Sequence, residues 1–105
     1  MPNIKFNYRY RDSANYKNHD FVILKNDPSI SLKELEDLIK SKLIDETWFY
    51  AEEWQLPELF LESFDFKIDP TWHEFEDVEY TDEAPDSPVS LDEFMVLIRQ
   101  TKRIY

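Results

Sequence analysis

Ile4-Lys5-Phe6-Asn7-Tyr8-Arg9-Tyr10-Arg11 is the stretch on which the fold turns. Ile4, Phe6, Tyr8 and Tyr10 alternate with Lys5, Asn7, Arg9 and Arg11, a period of two that sets four apolar side chains on one face of a strand and polar ones, mostly cations, on the other. Phe21 to Leu24 is a short continuous apolar run with two β-branched residues, as expected of a strand buried on both faces, and Asn26-Asp27-Pro28 ends it. The two runs predict an antiparallel hairpin. Its connection, Asp12 to Asp20, is long for such a loop, and Asn15 and Asn18 are the residues suited to a positive φ there.

Further along, Ser31-Leu32-Lys33-Glu34 has the capping-box form, with Ile30 placed to staple against Leu35. Leu32, Leu35, Leu38, Ile39 and Leu43 follow helical spacing, so a helix is expected to about Ile44. Val89-Ser90-Leu91-Asp92-Glu93-Phe94 repeats the same start rules and predicts a second helix from Leu91 to about Arg103. Two helices obeying one start rule account for this echo without an internal duplication.

Between the helices, Asp45 to Phe60 mixes Trp48, Phe49, Tyr50 and Trp54 with carboxylates, and Pro57 stops the short helix expected near Tyr50. Phe64, Phe66 and Ile68 alternate with Asp65 and Lys67 and predict a strand. Trp72 to Tyr80 predicts another, since Trp, Phe, Val and Tyr suit a half-buried sheet. Thr81 to Pro88 reads as a loop. The fold class predicted is α+β: a small antiparallel sheet of three or four strands, with two capped helices packed on one face.

The chain has 105 residues, enough for one core, so a single domain over 1–105 is expected. With no Cys, it has neither a disulfide framework nor a thiolate zinc site nor a cysteine nucleophile; with no Gly, it has no phosphate-cradling glycine loop. Aromatic residues make up 16% of the chain, which sets it apart from disordered acidic chains. The longest apolar run, Phe94 to Ile98, is far short of a membrane span, and no secretory signal precedes Tyr10. A cytoplasmic protein is therefore expected, with no membrane partner.

A formal net charge of -11 opposes direct binding to nucleic acid. The charge is segregated: residues 45 to 93 hold seventeen acids and one base, Lys67, whereas the amino-terminal 26 residues carry a net +3.

Tyr10-Arg11-Asp12 with Asn15-Tyr16-Lys17-Asn18, Phe49 with Glu52-Glu53-Trp54 and Pro57, and Trp72-His73-Glu74-Phe75 with Thr81-Asp82-Glu83 and Pro85 resemble a family of small acidic bacterial proteins of no established function. The resemblance touches most of the chain and implies a bacterial or phage source and a shared small fold. It supplies no catalytic residue. The chain departs from that pattern at Asp20 and Gln55, where such relatives often place Gly, which bears on the local turns.

Three surfaces stand out as sites. The hairpin offers Arg9, Arg11, Tyr16 and Lys17, either as a recognition loop or as cations that neutralise the acidic half of the same molecule. The run Glu74, Glu76, Asp77, Glu79, Asp82, Glu83 and Asp86 is a solvated acidic face or, with the strand spacing of Glu74 and Glu76, an imitation of phosphates. On the second helix the apolar run covers the whole circumference, which predicts Met95 or Val96 at a contact with a partner or a second copy, with Phe94, Leu97 and Ile98 in the core. His19 and His73 are isolated, and adjacent strand residues such as His73 and Glu74 point to opposite faces, so neither a metal nor a cofactor is expected. The function expected is that of a non-enzymatic interaction protein that binds a basic protein partner through its acidic middle segment. The alternatives are an inhibitor of a DNA- or RNA-binding enzyme that mimics nucleic acid, and an enzyme acting on a small molecule.

Overall fold

The computed structural model describes residues 2–26, 30–62 and 64–101. Its elements are β1 (Asn3–Arg11), β2 (Lys17–Leu24), α1 (Leu32–Ser41), β3 (Trp48–Phe49), a 3₁₀ turn (Ala51–Trp54), β4 (His73–Thr81) and α2 (Leu91–Gln100). The strands form one antiparallel sheet in the order β2-β1-β4-β3, and the fold is α+β.

The alternating stretch is central to the sheet, paired on both sides. Ile4, Phe6, Tyr8 and Tyr10 are buried on the face that carries the helices. Ile4 lies opposite Leu24 and Phe6 opposite Val22, which extends the apolar face across β2. Because β2 begins at Lys17, the hairpin loop has five residues, 12 to 16, shorter than the expected Asp12 to Asp20. Asp12 replaces the missing glycine chemistry: its Oδ1 accepts the Ala14 and Tyr16 N–H groups at 3.0 and 2.9 Å, and Asn15 takes φ 69°.

On the other side of β1, the register with β4 shifts by one between Asn7 and Tyr8. Asn7 faces Asp77 and Tyr8 faces Phe75, so Glu76 is the extra residue of a bulge. The shift keeps both Val78 and Phe75 on the core side of one strand.

The caps form as the sequence predicts, though the reciprocal box closes only at α2, where Ser90 and Glu93 bond each other's backbone. At α1 the Ser31 hydroxyl accepts the Glu34 N–H at 3.1 Å. This helix stops at Ser41, short of the expected Ile44, because Ile44 is drawn into a bridge with Trp48. Asp45 and Glu46, with φ 49° and 59°, make the turn between them. The second helix ends at Gln100; the expected Arg103 end, like the Asp27-Pro28 stop, falls outside the described residues.

Phe6 is the aromatic hub of the core, with edge contacts to Phe49, Trp54 and Phe94. Trp54 stacks on Phe49 at 4.7 Å and donates its indole N–H to Thr101 Oγ1 at 2.7 Å, which fastens the 3₁₀ turn to the end of α2. Leu35, Ile39, Leu91, Phe94 and Ile98 complete the same cluster. No helix among the described residues is long and apolar enough to cross a membrane.

Two expectations are corrected. Residues 64 to 68 are not a strand: Asp65 Oδ1 accepts the Lys67 N–H and its carbonyl accepts the Ile68 and Asp69 N–H groups, a turn that leaves Phe66 and Ile68 76% and 68% exposed. Met95 is buried in the chain's own core, because α2 is covered on that side within the monomer; of the expected contact pair, only Val96 is exposed.

Candidate functional site

On the open face of the sheet, opposite the helices, the cationic hairpin and the acidic run meet as neighbours. Arg9 sits across from Glu74, as does Trp48 from the other side. The Glu74 carboxylate accepts Arg9 Nε at 2.6 Å and Trp48 Nε1 at 3.2 Å, and Arg11 Nη2 lies 3.2 Å from it. Burial alone would raise the Glu74 carboxyl; the hydrogen bonds from Arg9 and Trp48 and the two guanidinium charges outweigh it and hold the group below its usual range. Trp72 packs on Trp48 with ring centres 5.8 Å apart.

The pairing continues along the strands. His19 Nδ1 lies 2.7 Å from Glu76 Oε1, a contact made by the bulge residue, and Asn7 donates to Asp77 Oδ1 at 2.6 Å. Lys5 lies over the Phe21 ring, 3.8 Å from Glu83 and across from Glu79. Of the acidic run, Glu74 is buried and Glu76 and Asp77 have partners within the chain; Glu79 is exposed. Arg9 and Arg11 are spent on Glu74, whereas Tyr16 and Lys17 are exposed at the hairpin tip. Within the acidic half, cations of the amino-terminal strands pair with Glu74 and Glu83.

His73, the residue before Glu74, points into the core among Tyr8, Tyr10, Phe49 and Phe60. Its Nε2 accepts the Leu59 N–H at 2.9 Å. Burial lowers its pKa to about 4, opposed in part by the Thr71 backbone. The imidazole is therefore a neutral acceptor that pins the segment after Pro57 to the sheet. His19 and His73 lie on opposite faces, and among the described residues no group of three or more His, Cys, Asp or Glu is arranged to hold a metal ion.

The sheet ends beside the loop that stands in place of the strand expected over Phe64 to Ile68. Asp69 is buried; its Oδ1 accepts the Ser13 N–H at 3.0 Å and hydroxyl at 2.7 Å, and its Oδ2 accepts the Asp65 N–H at 2.8 Å. Those bonds hold its carboxyl below the ordinary range. Tyr10 donates its hydroxyl to the Pro70 carbonyl at 2.6 Å; burial, the largest cause, raises that phenol to about 12. Behind the loop, Phe60 and Phe64 stack at 4.3 Å. A shallow depression lined by residues 66 to 72 results, with Phe66, Ile68 and Trp72 exposed around it. A second, lined by Tyr16, Lys17, Leu61 and Glu62, lies where the hairpin tip meets the preceding segment.

Phe66, Ile68 and Trp72 on the surface, and the buried clasp Asp69 that holds their loop, are the residues that sequence reasoning missed. Asp65 within the alternation and Asp69-Pro70 just after it are turn formers. That signal would have separated an exposed loop from a strand. No family model matches the chain, and no curated protein or solved structure was found to be similar to it.

Proposed function

We propose that this chain is a non-enzymatic cytoplasmic interaction protein that engages a basic protein partner through its acidic middle segment. The observation that carries the reading is the division of the carboxylates. Three of the four on β4, Glu74, Glu76 and Asp77, lie against Arg9, Arg11, His19 and Asn7, and Glu79 is exposed. Among the described residues no ion pair reaches Glu52, Glu58 or Glu62, which are exposed between β3 and the 66–72 loop. A cationic partner gains its electrostatic attraction from that second group.

The nucleic-acid-mimic reading has less support. It needs a row of free carboxylates, and in the run from Glu74 to Asp86 five of the seven, Glu74, Glu76, Asp77, Glu83 and Asp86, are bonded or ion-paired within the chain. An enzyme reading lacks a site of convergent polar groups in the depressions described, which are open and shallow. Among the described residues of α2, Val96 is the one large apolar side chain exposed for self-association, and a single exposed aliphatic residue is ordinary.

Affinity capture at moderate salt with the wild-type chain and with a folded Glu52→Lys/Glu58→Lys/Glu62→Lys variant tests the proposal. Basic proteins are expected on the wild type and lost from the variant. Equal recovery on both, or a wild-type set without basic character, contradicts it.

A further inference from the structure

Of the six large apolar side chains that stand exposed among the described residues, three, Phe66, Ile68 and Trp72, fall within one seven-residue loop and line one depression. Isolated exposed apolar residues are ordinary, but clustered ones mark contact surfaces, and aromatic side chains dominate the energetics of such contacts. Here the cluster is held in place. Asp69 ties the loop to Ser13 at the hairpin tip, Tyr10 holds Pro70, and Trp72 leans on Trp48. A loop ordered before binding loses little further conformational entropy on contact.

The charges around it point to the occupant. Asp45 and Glu46 form the turn that leads into Trp48, and Glu62 and Asp65 lead into Phe66, while Lys67 is the only base between residues 45 and 93. Lys67 itself lines the depression, so the attraction for a cationic partner comes from Glu62 and Asp65, exposed in the sequence that leads into the loop, and from the net charge of -16 over residues 45 to 93; with the apolar centre, this suits a partner that is apolar and cationic together. The same charge repels nucleic acid and anionic lipid.

We infer that the 66–72 loop is the seat for a basic amphipathic segment of a partner protein, its apolar side lying on Phe66, Ile68 and Trp72 and its Lys and Arg side chains meeting Glu62 and Asp65. This rests on the basic-partner reading above and locates it. Phe66 and Ile68 supply contact area, and Trp72 and Trp48 form its rigid wall next to the sheet.

The test uses the full chain and two synthetic peptides of equal positive charge, one an amphipathic lysine–leucine sequence and the other a lysine–serine sequence, followed by fluorescence anisotropy. The lysine–leucine peptide is expected to bind at least about tenfold more tightly, because burying one aliphatic side chain exceeds the free energy of a tenfold change. Phe66→Ser/Ile68→Ser is expected to remove that advantage while the far-ultraviolet circular dichroism and melting temperature stay those of the wild type. Val96→Ser is expected to leave binding unchanged. Undiminished lysine–leucine binding by the double variant overturns the location of the seat and leaves the basic-partner reading standing. Failure of both peptides to bind overturns the seat and the basic-partner reading together.

Discussion

His73 and Glu74 are consecutive residues of one strand, both buried, and they meet opposite fates. His73 faces the helices, sits among four aromatic rings and is neutral, accepting one backbone N–H. Glu74 faces the open side and is charged, because two guanidiniums and an indole N–H converge on it. Burial disfavours charge on both residues; what differs is the compensation each face offers. The inner face is aromatic and stabilises by area. The outer face is polar and stabilises by pairing, and in doing so it consumes the charges that looked most available for a partner.

The contrast is sharpened most strongly at its aromatic bed. Phe6→Ala is expected to lower the unfolding free energy by about 3 to 5 kcal/mol, as large core truncations do, whereas Phe66→Ala in the exposed loop is expected to change it by less than about 0.5 kcal/mol. Urea denaturation of both variants measures this. Equal losses would mean that the 66–72 loop is part of the core.

His73 next gives the inner face a pH dependence. The unfolded chain takes up a proton near the ordinary value of 6.5 and the folded chain resists until about 4. Between those limits the unfolded state binds more protons, so this residue's contribution to stability falls as pH falls, by up to about 1.4 kcal/mol per pH unit. Glu74 and Asp69, whose carboxyls are held low, act at more acid pH: their contributions are present above the unfolded carboxyl pKa and are lost as pH drops through the lower folded values. The difference in stability between wild type and His73→Gln should therefore change steadily from pH 6.5 to 4. A pH-independent difference would mean that His73 is charged in the folded state.

On the outer face, Glu74→Gln is expected to cost about 1.5 to 3 kcal/mol, the range for hydrogen bonds to charged groups. The Arg9 and Glu74 coupling in a double-mutant cycle is expected to be about 1 kcal/mol, limited by the partial exposure of Arg9. A cycle value near zero would make the outer face a solvated surface like any other. The last effect expected is a gain. Glu46→Gly relieves a left-handed residue in the Ile44–Thr47 turn, and a rise in stability of about 1 kcal/mol is expected by thermal denaturation. A loss there would mean that the Glu46 side chain contributes more than its backbone strain costs.

What could be read from the chain itself follows the range of the forces. Alternation over Ile4 to Tyr10, the Ser31 and Ser90 caps and the β-rich Trp72 to Tyr80 segment are local, and each became the element expected. The failure at Phe64 to Ile68 is informative, since a period of two arises wherever turns present apolar side chains outward at every second position, and only tertiary contacts tell which way they face. β3 has two residues and is defined by its partner, so no run of sequence marks it. The pairing of Arg9 with Glu74 depends on a register fixed 65 residues away and on a bulge at Glu76. Both charged motifs were visible as motifs, and the pairing of Arg9 and Arg11 with Glu74 was a property of the sheet alone.

The account stands on one division: the outer face of the sheet at Glu74, Glu76 and Asp77 is closed by internal pairing, and the 66–72 loop is the proposed seat of a basic partner. Residue-resolved amide shifts of the isotope-labelled chain during titration with the lysine–leucine peptide test this directly. The account predicts the largest shifts at residues 64 to 72 and at Trp48, with Glu74 to Glu79 and Val96 nearly unmoved. Shifts concentrated on Glu74 to Glu79, with the loop silent, would contradict it.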